Sequence, residues 1–173
     1  MKIYLAGPDV FRPDALAHFA AARQLLAEHG HEALIPLDNE ESSAAGIYRA
    51  NLAQIAAADA VIANLNPFRG HEPDSGTCFE VGYAIALGKP VIGFLDDIRP
   101  QIDKLQAAFG PLASSPEGSF HDPAGMLIEN FGLPLNLMLA PPCQLVQGCL
   151  KTVLSALKTP SSGAMHHEEK ANK

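Results

Sequence analysis

Residues 74–90 read DSGTCFEVGYAIALGKP, a loop that runs into a helix and then leads to a strand. Thr77 and Glu80 have the spacing of a capping box, in which a hydroxyl and a carboxylate bond the free amides at a helix start. Gly88 suits the left-handed residue just past a helix end, and Pro90 prevents the helix from continuing. The stretch therefore predicts a helix that begins near Thr77, ends at Gly88 and is followed by a strand.

Two carboxylates, Asp74 and Glu80, are predicted to flank the start of this helix. The helix dipole stabilises negative charge at a helix N-terminus, so we expect an ionised carboxylate there. Such a group can act as an anionic nucleophile. The residues alone leave two interpretations of Glu80 open: a cap that only closes the helix, and a catalytic carboxylate.

The composition predicts one domain with a continuous core. The chain has 173 residues, 47% of them hydrophobic, and a net charge of −7. No apolar run reaches the ~20 residues of a membrane span, and a negative chain lacks the basic face that nucleic-acid binders need. The three cysteines lack the paired spacing of a metal site and fit a reducing compartment. We therefore expect a cytoplasmic domain over residues 1–158, with neither a membrane nor a nucleic-acid polymer as partner, and a disordered tail over residues 159–173.

Apolar runs and helical spacing alternate along the rest of the chain. Strands are predicted at about residues 2–6, 33–37, 60–65 and 91–95, and further helices at about residues 13–30, 46–58 and 144–157. Residues 96–125, rich in proline and serine, are predicted to be mostly irregular. Strands that alternate with helices imply right-handed crossovers and a mainly parallel sheet.

Two loops, residues 7–12 and 66–74, are predicted to follow the first and third strands. In open parallel sheets, ligands bind beyond the carboxyl ends of the strands, near a topological switch point. Asp74 and Glu80 therefore fall in the predicted ligand region. The chain has no G-x-G-x-x-G sequence and no Walker loop, so we expect neither a nicotinamide cofactor nor a nucleoside triphosphate.

Several separated motifs resemble those of the nucleoside 2-deoxyribosyltransferases, in the same order along the chain. They are KIYLAGP (2–8), PLDN (36–39), ADAVIA (58–63), the stretch 74–90, and NLM (136–138). The loop NPFRGHEP (66–73) looks most like that of members that act on purine deoxynucleosides. The resemblance implies a flavodoxin-like (Rossmann-like) three-layer α/β sandwich with a mainly parallel sheet of about five strands.

The resemblance also implies a reaction and its catalytic residues. Members of the family exchange the base of a 2'-deoxynucleoside, a reaction of nucleotide salvage, and need no metal or cofactor. Glu80 would be the nucleophile that captures C1', and Asp74 would protonate the departing base and deprotonate the incoming one. Tyr4 matches a tyrosine whose hydroxyl positions the nucleophile. Because the second base attacks a covalent deoxyribosyl-enzyme, the configuration at C1' would be retained.

Further residues are expected to bind the substrate. Asn51 stands where many relatives have Asp; its amide can orient a hydroxyl or a base edge but cannot act as an acid. Asn136 matches an asparagine that reaches the sugar 5'-hydroxyl in the site of a neighbouring subunit, which implies a homo-oligomer with shared sites. The full set of expected binding residues is Asn51, Asn136, Gly7, Asp9, Phe11, Gly76, Arg69 and Met138.

Two alternatives to base exchange remain at this stage. A related N-glycosidase would hydrolyse the same bond in a 2'-deoxynucleoside or its 5'-phosphate. A non-catalytic module would only bind a nucleotide, with Glu80 contacting the ribose. The amide of Asn136 favours a neutral 5'-hydroxyl over a phosphate dianion, so the preferred partners are 2'-deoxynucleosides and free nucleobases.

Overall fold

Strands and helices alternate through most of residues 1–157, the part of the chain that the computed structural model describes. The strands are β1 (Lys2–Ala6), β2 (Glu32–Leu34), β3 (Ala60–Asn64), β4 (Val91–Leu95), β5 (Ala113–Ser114), β6 (Phe120–His121), β7 (Leu127–Ile128) and β8 (Gln144–Gln147). The α-helices are α1 (Ala15–Glu28), α2 (Ala44–Ala57), α3 (Ser75–Ala86), α4 (Gln101–Phe109) and α5 (Leu150–Leu157). A short 3-10 helix, Pro8–Phe11, follows β1.

The main sheet has five parallel strands in the order β2-β1-β3-β4-β8. This is the flavodoxin-like order, in which the chain changes direction across the sheet between β1 and β3. The predicted α/β fold with a mainly parallel sheet of about five strands is therefore confirmed. A separate antiparallel sheet, β5-β6-β7, lies between α4 and β8 in the sequence.

The two faces of the sheet carry separate apolar clusters, because successive side chains of a strand point to opposite faces. On β1, Ile3 and Leu5 belong to the cluster that contains residues of α1 and α5. Tyr4 and Ala6 belong to the cluster that contains residues of α2 and α3. Tyr4 is fully buried there, so its hydroxyl must find a partner on the α2 and α3 side.

The start of α3 differs from the predicted capping box. The helix begins at Ser75, and Asp74 is its N-cap residue, with its side chain accepting from the Thr77 amide. Thr77 is instead a buried residue of the first turn. Aspartate caps a helix as well as threonine does, so both Asp74 and Thr77 satisfied the sequence rule and the tertiary fold selected the earlier one.

The predicted helix over residues 144–157 is wrong in its first half. Gln144–Gln147 form the edge strand β8, which pairs in parallel with Ile92–Leu95, and the helix begins only at Leu150. Gly148, at a φ of 127°, separates the two elements. A four-residue apolar strand next to a helix gives the same stripe as one longer helix, so periodicity alone could not separate them.

Residues 96–125 are also more regular than predicted. They contain α4, β5 and β6. Pro100 and Gly110 bracket α4, with Gly110 in the left-handed region at a φ of 84°. Proline before a helix and glycine after it are ordinary boundary signals, but in a stretch rich in proline and serine the same residues also suit a loop.

No helix within residues 1–157 is long and apolar enough to span a membrane. The expected tail, residues 159–173, lies outside the described residues. The single domain expected over residues 1–158 and the cytoplasmic location stay predictions.

Candidate active site

Tyr4 and Glu80 form a direct contact between β1 and α3. The Tyr4 hydroxyl donates a hydrogen bond of 2.6 Å to Glu80 Oε1. The two residues are 76 positions apart in the sequence, so the fold of the sheet and α3 brings them together. This contact satisfies the buried hydroxyl and fixes the orientation of the carboxylate.

The charge of Glu80 is set by its surroundings. The pKa of Glu80 is raised to about 7 as a net result: burial is the largest cause and raises it, the hydrogen bond from Tyr4 lowers it, and the negative charge of Asp74 raises it. The pKa of Tyr4 is raised by its own burial and by the nearby carboxylate, so the phenol keeps its proton and stays a donor. We expected the helix dipole to determine the ionisation of Glu80, but burial has the larger effect. Glu80 lies in the second turn of α3, where the dipole is weak and burial dominates.

Asp74 occupies the N-cap position of the same helix. Its Oδ2 accepts from the Thr77 amide at 2.9 Å and from the Thr77 hydroxyl at 3.0 Å. Glu80 lies six positions after Asp74, which is about 9 Å along a helix axis. Gly76 lies between them in the first turn, and a Cβ atom there would stand 3.1 Å from Asp74 Oδ2. A small residue at Gly76 therefore keeps the space beside the Asp74 carboxylate open.

Asn51 of α2 lies near Glu80. The nearby Asn51 amide is one of the groups that lower the pKa of Glu80. Its Oδ1 atom is buried and has no hydrogen-bond partner within residues 1–157. Because buried polar atoms are nearly always paired, this acceptor fits the hydroxyl of a bound ligand. The expected role of Asn51 as an orienting amide stays a prediction.

The loop after β1 holds Gly7 and Asp9 against β3. Asn64 Nδ2 donates to Asp9 Oδ2 at 2.9 Å, and His18 Nε2 lies 3.5 Å from Asp9 Oδ1. A Cβ atom on Gly7 would stand 2.9 Å from the Asn64 Cβ, so glycine permits the close approach of the two strand ends. Asp9 is therefore occupied in positioning the loop, and the expectation that it contacts substrate stays a prediction.

Phe11 and Phe68 stack face to face across the two site loops. Their ring centroids are 5.3 Å apart with an interplanar angle of 16°. The Arg69 guanidinium lies over both rings, 4.6 Å from the Phe68 centroid and 5.1 Å from that of Phe11. Arg69 has a φ of 54°, which is uncommon for a residue with a side chain. The cluster joins the loop after β1 to the loop after β3.

Asn136 and Met138 lie apart from these groups. Asn136 Nδ2 donates to Glu129 Oε1 at 2.8 Å, and its Oδ1 accepts from the Met138 amide at 2.9 Å. The Met138 side chain is 73% exposed. The cavity beside Asn136, about 390 Å³, is not lined by Tyr4, Asn51 or Glu80. Within residues 1–157 the structure therefore does not join Asn136 to the Glu80 site.

A second cavity, about 380 Å³, lies on the opposite face of the sheet. It lies between α1 and α5 and is lined mainly by apolar side chains, with Gly7 and Asp9 at its edge. Neither Asp74 nor Glu80 borders it. It is therefore not the place where these carboxylates could act.

Among residues 1–157, no group of three or more His, Cys, Asp or Glu side chains could hold a metal ion.

Two polar residues that contact expected binding residues are not identified by the sequence. Asn64 ends β3, and a polar residue at the carboxyl end of a parallel strand is a signal that could have identified it. Glu129 contacts Asn136 and Leu137 but precedes them by seven and eight positions in irregular chain, so no spacing rule identifies it.

Comparisons with known proteins agree with the sequence motifs. The family model described as nucleoside 2-deoxyribosyltransferase matches residues 3–138. The chain is similar to the solved 2-desoxiribosyltransferase from Leishmania mexicana, with 38% identity, a TM-score of 0.73, and coverage of 91% of this chain and 97% of that chain. It is also similar to a 2-deoxyribosyltransferase from Bacillus psychrosaccharolyticus, with 31% identity and a TM-score of 0.45 over 55% of this chain and 72% of that one. An uncharacterized protein of Schizosaccharomyces pombe is 29% identical over 155 residues, which cover 79% of this chain and 74% of that protein.

Proposed function

This chain belongs to the nucleoside 2-deoxyribosyltransferase family, and we propose that it transfers the 2-deoxyribosyl group between nucleobases, with purines preferred. The reaction passes through a covalent deoxyribosyl-Glu80 ester. Asp74 is the acid for the departing base and the base for the incoming one. No metal or cofactor takes part.

The first half of the reaction breaks the bond from C1' to the base nitrogen. A Glu80 carboxylate oxygen forms a bond to C1' while the bonding pair leaves with the base. The Asp74 carboxyl group gives its proton to the base, so the base leaves uncharged. In the second half, a nitrogen of the incoming base attacks C1', the ester bond breaks, and Asp74 takes up the proton. Two inversions at C1' give overall retention.

One observation carries the proposal: the hydrogen bond of 2.6 Å from the Tyr4 hydroxyl to Glu80. A carboxylate that only caps a helix needs no buried tyrosine from a neighbouring strand. A nucleophile does need a fixed direction of attack, and this donor supplies it. The donor is also bonded to one oxygen only, which leaves Oε2 for C1'.

Asn51 and the aromatic cluster support the binding of a deoxynucleoside. The unpaired Asn51 Oδ1 suits a sugar hydroxyl next to Glu80. Phe11 and Phe68 offer flat apolar surface to a base. The preference for purines rests on the loop of residues 66–73, which looks most like that of members that act on purine deoxynucleosides.

The test is incubation with deoxyinosine, with and without free adenine, followed by separation of the products. We expect deoxyadenosine to form only when adenine is present, and the Glu80→Ala variant to form almost none. Glu117→Gln, a change at an exposed carboxylate far along the chain, serves as the matched control and should behave as wild type.

Other products would support the alternatives. Free hypoxanthine and deoxyribose at a rate that does not depend on adenine would indicate an N-glycosidase. Binding of deoxyinosine without any new product would indicate a non-catalytic module. Mass spectrometry of the wild type with deoxyinosine alone should show one deoxyribosyl group attached to Glu80, and its absence in an active protein would contradict the covalent step.

A further inference from the structure

Glu129 holds the segment around Asn136 at two points. Its Oε1 accepts from Asn136 Nδ2 at 2.8 Å, and its Oε2 accepts from the Leu137 amide at 3.0 Å. The side-chain oxygen of Asn136 is also hydrogen-bonded, because Oδ1 accepts from the Met138 amide at 2.9 Å. The carboxylate therefore fixes which way the Asn136 amide faces.

The surroundings of Glu129 are acidic. The cavity beside it, about 390 Å³, is lined by three carboxylates, Glu72, Asp122 and Glu129, and by the ring of His71. Burial is the main cause that raises the pKa of Glu72, and the charge of Glu129 raises it further, so the two carboxylates share one electrostatic environment. Lys104 is the opposing charge nearby, and its Nζ is bonded to the Pro134 carbonyl at 2.5 Å.

We propose that Glu129 is a positioning and specificity-determining residue that orients Asn136 and makes the site accept a free 5'-hydroxyl and reject a 5'-phosphate. This inference rests on the proposed function and on the role that the resemblance implies for Asn136, contact with the sugar 5'-hydroxyl in the site of a neighbouring subunit. A hydroxyl can donate to a carboxylate or to an amide oxygen, so it gains from this group of acceptors. The phosphate dianion that prevails above about pH 6 has only acceptors and two negative charges, so it offers a carboxylate no donor and is repelled by it.

The orienting role and the charge role can be separated by two substitutions. Glu129→Gln removes the charge and leaves one oxygen to accept, so one of the two hydrogen bonds is lost. Glu129→Asp keeps the charge but shortens the side chain, so the contacts with Asn136 and Leu137 weaken. Glu117→Gln is the control, since it removes an exposed carboxylate outside this cavity.

The experiment measures exchange from deoxyinosine to adenine and, by calorimetry, the binding of deoxyinosine and of its 5'-monophosphate. In wild type and in Glu117→Gln, the nucleoside should bind at least tenfold more tightly than the monophosphate. In Glu129→Gln, this ratio should fall by about tenfold or more, and the KM for deoxyinosine should rise several-fold while kcat changes less than twofold. Glu129→Asp should raise KM in the same way but keep the preference for the nucleoside.

The inference is overturned if wild type binds the monophosphate as tightly as the nucleoside, or if the binding ratio is unchanged in a folded Glu129→Gln protein. If Glu129→Gln does not fold, a Glu129→Asp protein that loses the preference for the nucleoside overturns the inference. A wild type that discriminates as expected by calorimetry but never forms deoxyadenosine contradicts base exchange and leaves the charge role of Glu129 supported.

Discussion

At Glu80, burial and hydrogen bonding act on the same carboxylate in opposite directions. Burial and the charge of Asp74 favour the protonated form, and the donors on Tyr4 and Asn51 favour the ionised form. The sum leaves the pKa at about 7, so the ionised form that the proposed nucleophile needs becomes available only as the pH rises through neutrality. We expect kcat/KM to have an ascending limb centred near pH 7, which is far above the usual range of a glutamate.

The same pKa shift predicts how stability depends on pH. The folded state binds the Glu80 proton more tightly than the unfolded state does. Protonated Glu80 therefore contributes fully to the free energy of unfolding below pH 4.5, and this contribution is lost as the pH rises through about 7. The shift from 4.5 to about 7 corresponds to about 3 kcal/mol. Glu80→Gln does not titrate, and its amide oxygen can still accept from Tyr4. Relative to wild type, Glu80→Gln should therefore gain ~2–3 kcal/mol of unfolding free energy between about pH 4 and pH 8, measured by urea denaturation. An identical pH dependence in the two proteins would show that burial does not raise the pKa of Glu80.

Asp74 can be tested without loss of the helix cap, since asparagine caps helices about as well as aspartate. Asp74→Asn should therefore unfold within about 0.5 kcal/mol of wild type. If Asp74 is the acid, exchange from deoxyinosine should fall by about 10²–10⁴-fold. A substrate such as 7-methyl-2'-deoxyguanosine, whose base leaves without being protonated, should lose far less. Equal losses for both substrates would mean that Asp74 positions the base and does not protonate it.

The helix α3 explains which parts of the site could be read from the sequence. Asp74 and Glu80 are local to one element, and Tyr4 belongs to a motif at the start of the chain, so the motifs identified all three. The sequence does not show which residue is the N-cap of α3, because Asp and Thr are both favoured at N-cap positions. Only the packing of buried Thr77 decides between Asp74 and Thr77. The contact of Glu129 with Asn136 is tertiary and leaves no local pattern.

The elements themselves were predictable where they are long and were misread where they are short. β1, β3 and β4 were found within one residue of their ends, because buried parallel strands give continuous apolar runs. β8 was assigned to a helix, since Leu145 and Val146 can complete either an edge strand or the stripe of α5. Its pairing with β4 depends on a strand about 50 residues earlier in the chain, and that information is not local.

Two glycines test how tightly these elements pack. A Cβ atom on Gly93 of β4 would stand 2.5 Å from Leu65 Cδ1 and 2.9 Å from Leu145 Cδ2. Gly93→Ala should therefore destabilise the protein by about 1–3 kcal/mol.

A Cβ atom on Gly82, in the middle of α3, would have no neighbouring atom within 4 Å beyond its own helix backbone, so Gly82→Ala should stabilise the protein by about 0.5–1 kcal/mol. Urea denaturation of both variants checks the pair. Equal stability of Gly93→Ala and wild type would contradict close contact of Leu145 with β4.

A single copy of the chain exposes an unusual amount of apolar side chain after α4. Met126, Leu127, Phe131 and Met138 are each 66–73% exposed. Exposed apolar side chains in a large patch usually mark an interface. Phe79, which precedes Glu80, is also 49% exposed, and its ring centroid lies 5.9 Å from that of Tyr48. We therefore expect a closed symmetric oligomer in which the Asn136 segment of one subunit meets the Glu80 side of another.

Complementation between two inactive variants tests this shared site. Glu80→Ala lacks the proposed nucleophile and Asn136→Ala lacks the expected sugar contact, so each should be nearly inactive alone. When the two are unfolded together and refolded as a 1:1 mixture, a subunit with intact Glu80 can meet one with intact Asn136. In a dimer with two shared sites, random pairing makes about a quarter of all sites wild type, so about a quarter of wild-type exchange should return. Refolding each variant separately and mixing them at once before assay is the control and should recover less. Two results would show that each chain completes its own site: a refolded mixture no more active than its components, or an active monomer in sedimentation velocity. Asn136 would then have to reach Glu80 by a movement of residues 129–138 within one subunit.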